Sequence, residues 1–240
     1  MPPTLRFLLA ARRSELLGLE TLASTCELAT RVSKLAHVLQ KERGCSNLYL
    51  CGGQDTLRQT LAGLSSDASA VEEEVRRFLD RLEPDVTRSA GKARLLNCVA
   101  YALYRLDELP RLRGRIRDRR VVAEEAGAAF TKLIASLFAL VFEAADSSLD
   151  AGVTQLLVAL LNFMQGKELC GQERAHGVMG YTAGFFTEPQ KARLLELADL
   201  QKRCFDGFAQ CAAPDALAAW GQLAPGAGQV QRLRDMALPL

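Results

Sequence analysis

No proline interrupts residues 4 to 83 of this 240-residue chain, so nothing in that stretch forces a helix to stop. Gly52-Gly53 is the natural break within it, which predicts a first helix of up to about 45 residues and a second over about 55–83. Pro84 marks a loop. A third helix over about 88–108 is expected to end before Pro110, because the residue ahead of a proline is pushed away from helical dihedrals. A fourth covers about 112–146 with a break near Gly114, and Asp146-Ser147-Ser148 stops it and caps a fifth reaching about Phe185. Thr187-Glu188-Pro189-Gln190 has the form of a capping box and opens a sixth helix that runs to about Cys211. Pro214 starts a short seventh helix, and Pro225-Gly226-Ala227-Gly228 separates a terminal one, Gln229 to Ala237. Strand-like alternation is absent, so the expected fold class is all-α.

Two segments 131 residues apart nearly repeat each other: Gln40-Lys41-Glu42-Arg43-Gly44 and Gly171-Gln172-Glu173-Arg174-Ala175. Each has a large apolar residue five positions past its arginine (Leu48, Met179) and a glycine ten positions past it (Gly53, Gly184). At about 100° per residue, Leu39 and Leu50 lie within roughly 40° of Arg43. Phe163, Cys170, Tyr181 and Phe185 lie similarly close to Arg174. Both guanidiniums are therefore expected where a core-facing residue points.

A buried cation needs a partner. Glu42 and Glu173 are poor ones, because adjacent residues on a helix do not face each other. Two readings stay open. Each arginine pairs with a carboxylate from another helix or snorkels to water, or a small exogenous anion is held between two related halves.

Leu39-Gln40-Lys41-Glu42-Arg43-Gly44-Cys45-Ser46-Asn47 resembles the first signature of the nitrate- and nitrite-sensing (NIT) domain family. Gly166-Lys167-Glu168, with Gln172-Glu173-Arg174-Ala175, Gly180 and Gly184-Phe185-Phe186, resembles its second, and Leu109-Pro110-Arg111-Leu112-Arg113 looks like the element between them. The likeness runs over about residues 5 to 236. It implies two stacked four-helix bundles sharing long helices, with a short C-terminal helix, and nitrate or nitrite bound by Arg43 and Arg174. The likeness is greatest to the receptor part of nitrate-responsive antiterminators that carry an RNA-binding ANTAR domain. There an arginine-bearing helix near the junction contributes to the site, which adds Arg232 and Arg234 of Gln231-Arg232-Leu233-Arg234 as candidates. The expected organisation is a sensing domain over residues 1–224 and a junction helix over 225–240, with the RNA-binding effector domain absent.

Nitrate is flat, monovalent and weakly hydrated, and a planar guanidinium offers paired N–H donors in a matching plane. No cofactor is implied, only the nitrate or nitrite ligand. With 30 Lys and Arg against 28 Asp and Glu, the net charge of +2 creates no global field to draw in nucleic acid or anionic membrane. The basic run Arg111–Arg120 has no interleaved aromatic residues for base stacking, so a solvated or interdomain role is expected of it ahead of RNA contact or a partner-protein surface. Glu72-Glu73-Glu74 and Arg76-Arg77, paired at i, i+4, are expected to form a solvated face.

Seven cysteines without Cys-x-x-Cys spacing, beside only two histidines, argue against a zinc site and for reduced thiols. The apolar run Phe7–Ala11 is closed by Arg12-Arg13 and lacks the apolar core of a signal peptide. Ala151–Gly166 is too short and polar to span a bilayer. A cytoplasmic location without membrane contact is expected. Nothing supplies a catalytic dyad, a phosphate-binding loop or a metal scaffold, so an enzyme is not expected. The sensor reading brings a homodimer and an RNA-binding antiterminator partner. The alternative is a helical interaction module, a truncated antiterminator without ligand, that modulates a full-length partner. Gly166, Gly171, Gly177, Gly180 and Gly184 in one helix point to close helix–helix approach or, alternatively, to a hinge.

Overall fold

The computed structural model describes residues 2–52, 55–81, 93–148, 150–223 and 227–237, and its regular secondary structure is helical throughout those residues. The helices are α1 (Pro3–Gly52), α2 (Asp55–Leu79), α3 (Ala93–Arg117), α4 (Ala123–Asp146), α5 (Ala151–Ala183), α6 (Glu188–Cys211), α7 (Pro214–Leu223) and α8 (Ala227–Ala237). The breaks assigned to Gly53, Pro84 and Pro225-Gly226 lie outside the described residues.

Several ends follow their local chemistry. The Asp150 side chain accepts from the Val153 amide to cap α5, and Gly184 closes that helix at φ 78°, which only glycine adopts without strain. Thr187 and Gln190 form the capping box at the start of α6.

The cap of α5 is Asp150 and not the Asp146-Ser147-Ser148 run expected from the sequence, of which Ser147 only closes α4. Two further boundaries differ from expectation. Helix α3 does not end before Pro110 but carries it inside and runs on to Arg117. Leu106 and Leu109 on one side of the proline, and Ile116 on the other, are all buried in the core. Their burial offsets the cost of a proline inside a helix, about 3 kcal/mol. The break expected at Gly114 lies instead at 118–122. Arg119, at φ 53°, takes the left-handed position past the helix end that glycine usually fills. The Arg120 amide donates to Arg115 O at 2.8 Å and the Arg119 amide to Ile116 O at 3.0 Å, closing a Schellman motif. The Arg119 guanidinium lies 4.6 Å from the centre of the Tyr49 ring, a cation–π contact that helps hold the strained residue.

The C-terminal half of α1 packs with α2, α3 and α4 as the first bundle. Val32, Leu35 and Leu39 from α1 meet Val75, Leu106, Phe130, Ile134 and Leu137, all fully buried. By length and composition α4 passes for a membrane span, but its apolar residues fill this core. The second bundle is built on α5 and α6. A Cβ on Gly166 would sit 2.7 Å from the Phe205 ring, one on Gly180 2.0 Å from Phe186 and one on Gly207 2.9 Å from Asn162. Of the five glycines named from the sequence, Gly166 serves close approach of α5 to α6, Gly171 lies under the Arg43 guanidinium, Gly180 makes room for Phe186 of the connection after α5, and a Cβ on Gly177 or Gly184 would meet nothing within 4 Å. Trp220 of α7 stacks on Phe205 at 4.6 Å, and Leu233 O of α8 accepts from the Tyr181 hydroxyl at 2.5 Å.

The N-terminal half of α1 is exposed, including Leu5, Phe7, Leu8, Leu9, Leu16, Leu17 and Leu19. The stripe Leu5, Leu9, Leu16 and Leu19 lies roughly 150° around the helix from the core stripe Leu28, Val32, Leu35 and Leu39.

Candidate functional site

Helices α1 and α5 lie side by side and run in the same direction. Ser33 meets Met164, Lys167 Nζ meets His37 Nδ1, and Gln40 reaches Glu168, so positions advance together along both. The two copies of the repeated segment therefore face each other at one height. Arg43 Nη2 lies 2.9 Å from where a Cβ on Gly171 would sit, and Arg174 Nη2 lies 3.6 Å from the same point on Gly44. Each guanidinium rests over a glycine of the opposite copy, which leaves room for it.

The two arginines do not share one environment. Arg43 is 5% exposed. Its Nη1 donates to Glu168 Oε1 and, at 2.9 Å, to Thr131 Oγ1, while Nη2 donates to Glu168 Oε2 at 3.1 Å. Arg174 is exposed and, among the described residues, forms no hydrogen bond or ion pair. Its expected burial is thus corrected. The face it shares with Cys170, Tyr181 and Phe185 is open, and all three are exposed.

Both arginines line a cleft of about 850 Å³ between α1, α2, α4 and α5. Lys41 and Lys132 add positive charge to its wall, and Leu48, Leu57, Leu64 and Met179 supply apolar surface. Asn47 stands on the same wall, with a buried Oδ1 that makes no hydrogen bond among the described residues. His176 also lines the cleft, and burial together with the nearby Arg193 charge lowers its pKa, leaving it neutral at pH 7. Burial raises the Cys45 thiol, with Glu42 adding to the effect, so this cleft cysteine stays protonated and unreactive.

The repeat extends further than the two arginines. Glu42, 1% exposed, accepts from Arg113 Nε at 2.7 Å and Nη2 at 2.9 Å and from Ser65 Oγ at 2.7 Å. At the equivalent place Glu173 accepts from Arg234 Nε, from Arg234 Nη2 at 2.9 Å and from Gln201 Nε2 at 2.8 Å. The signal for this was in the sequence as the tripeptide Arg-Leu-Arg at 111–113 and again at 232–234. Arg234 is thereby placed on Glu173, and Arg232 is exposed on α8; neither is brought to the cleft wall. Glu168, the carboxylate on Arg43, was legible only as part of a motif.

The basic run is largely neutralised locally. Arg113 pairs with Glu42, Arg115 with Glu125, and Arg117 and Arg120 with Asp118. Glu72 is not on a solvated face as expected, since it bridges Arg76 at 2.9 Å and Arg113 at 3.7 Å.

Residues 34–239 match the nitrate and nitrite sensing family, NIT. The chain is 37% identical over 236 residues to the nitrate regulatory protein of Klebsiella oxytoca, covering 98% of this chain and 58% of that one. It superposes on the NasR transcription antiterminator with a TM-score of 0.82 at 36% identity, covering 98% of this chain and 63% of that chain. The chain therefore spans somewhat under two thirds of the length of these relatives. Matched over most of its length in sequence and in fold, it belongs to the nitrate- and nitrite-sensing (NIT) family.

Proposed function

We propose that this chain is a nitrate or nitrite receptor, with the anion held in the cleft between Arg43 on α1 and Arg174 on α5. The observation that carries this reading is the meeting of two repeat-related arginines on one cleft, one of them exposed and unpaired among the described residues. A guanidinium with no partner among the described residues, at the edge of a partly apolar cleft, offers a free planar fork of donors. Lys41 and Lys132 add to the attraction. Turning the Asn47 amide over presents Nδ2–H to the same anion. Arg234 acts at one remove, by fixing Glu173 and so the turn of α5 that carries Arg174.

Thermal unfolding with nitrate, nitrite, chloride and sulfate tests this. At 100 times the dissociation constant a bound anion adds about 2.7 kcal/mol, a midpoint rise of roughly 5–10 °C for a chain of this length. The rise should appear with nitrate or nitrite, not with chloride, and vanish in Arg174→Ala. No selective rise at millimolar anion in a folded protein would replace this reading with the helical interaction module.

The receptor works as a homodimer in this proposal, joined through the exposed leucine stripe of α1. That stripe supports the idea because the protein's own core lies on the opposite side of the helix. Sedimentation should give a dimer that Leu16→Asp converts to a monomer; an unchanged mass would remove the stripe from the interface. The relatives are named as a regulatory protein and a transcription antiterminator. We extend to this chain a regulatory role in nitrate response, exerted through an RNA-binding partner.

A further inference from the structure

An anion already sits on Arg43, and it is the protein's own. The Glu168 carboxylate, 7% exposed, accepts from both terminal nitrogens of Arg43, from Gln40 Nε2 at 2.9 Å and from Gln172 Nε2 at 3.0 Å. Its four donors come from α1 and α5, one cation and two neutral amides converging on a flat O–C–O fork. Nitrite presents the same bent fork and charge, and nitrate presents it along each edge. A donor set that fits one fits the others.

Resting on the reading of the cleft as a nitrate or nitrite site, we propose that Glu168 is a built-in competitor: the exogenous oxyanion takes over the end-on fork of Arg43 by displacing the Glu168 carboxylate. Thr131 holds Arg43 Nη1 independently, so the arginine stays and the glutamate moves. The tie between α1 and α5 is then exchanged, from Arg43–Glu168 to Arg43–anion–Arg174. The departing carboxylate has somewhere to go. Gln172 is one turn further along the same helix, and its Oε1 accepts from Arg193 Nη2 of α6 at 3.3 Å, so a cation whose Nη1 is held by Glu196 at 2.6 Å lies beyond it. Glu168 moving toward α6 transmits occupancy of the cleft to the second bundle.

Competition also filters ligands. An incoming anion must replace every hydrogen bond the carboxylate gives up. A spherical chloride cannot satisfy the fork and both amides together, and a tetrahedral sulfate brings a second charge and two oxygens out of the plane of the fork.

Isothermal titration of the full chain with sodium nitrate and sodium nitrite, on wild type and Glu168→Gln, decides the matter. The glutamine keeps the shape and removes the charge, so the dissociation constant should fall at least about tenfold, and the anion-induced rise in unfolding midpoint should grow. Glu168→Asp, charged but shorter, should lie between the two and serves if the glutamine variant does not fold. Weaker or unchanged binding in a folded Glu168→Gln overturns the competitor and leaves the receptor reading standing. Binding seen only in Glu168→Gln overturns both, because the wild-type chain is then no receptor. Absence of binding in both proteins overturns this inference and the receptor reading together.

Discussion

Replacing Glu42 with alanine should lower the unfolding midpoint by roughly 6–20 °C, the equivalent of about 3–5 kcal/mol for a buried ion pair that loses one member. Glu42 is enclosed between α1, α2 and α3, where it accepts two hydrogen bonds from Arg113 and one from Ser65. Alanine leaves the Arg113 guanidinium inside the bundle with Glu72 at 3.7 Å as its nearest remaining carboxylate. Scanning calorimetry measures the loss. The double variant Glu42→Ala, Arg113→Met should recover part of it, since the desolvated charge goes with the arginine. A fall of less than about 3 °C in the single variant would mean that Arg113 finds solvent at little cost.

Arg234→Ala, at the related pair, should have a large effect of a different kind. Helix α8 is bound through Arg234 to Glu173 and Gln201, and Leu233 O accepts from Tyr181. Its surface is otherwise mostly exposed. Loss of hydrogen bonds to a charged group, about 1.5–3 kcal/mol each, should release α8 while the α1–α4 bundle stays folded. Amide exchange should show protection in α8 falling by at least about tenfold with little change in α4. Full protection of α8 in the variant would show that Arg234 does not hold it.

The same pair sets a pH response. Burial pushes the Glu173 carboxyl up, but hydrogen bonds from Arg234 and Gln201 and the charge of Arg234 outweigh it and leave the pKa below the ordinary glutamate value. A depressed carboxyl contributes stability above its unfolded pKa and loses it as pH falls through the folded one. Docking of α8 should therefore be flat through neutral pH and fail only on the acid side of the ordinary carboxylate range.

These pairs show why the site was only partly legible. Glu42 and Glu173 were correctly set aside as partners of the arginines beside them, since adjacent helical residues diverge. What they do instead depends on Arg113 and Arg234, 71 and 61 residues away. Sequence proximity says nothing of that. The shared Arg-Leu-Arg tripeptide was visible, but only the parallel packing of α1 and α5 turns it into a second, matching pair of contacts. The rotation argument put Arg43 on the buried side and failed for Arg174, because rotation tells which way a side chain points and not whether anything covers it.

Local chemistry by itself determined the all-helical class, the Thr187 start, the stop near Gly184 and the doubled arginine motif, since each depends on residues within one or two turns. Only the tertiary structure decided that α3 passes through Pro110, that the next break falls at Arg119 and not near Gly114, and that Glu168 occupies Arg43. In each of these, packing or charge pairing between distant segments outweighs a local preference of at most about 3 kcal/mol.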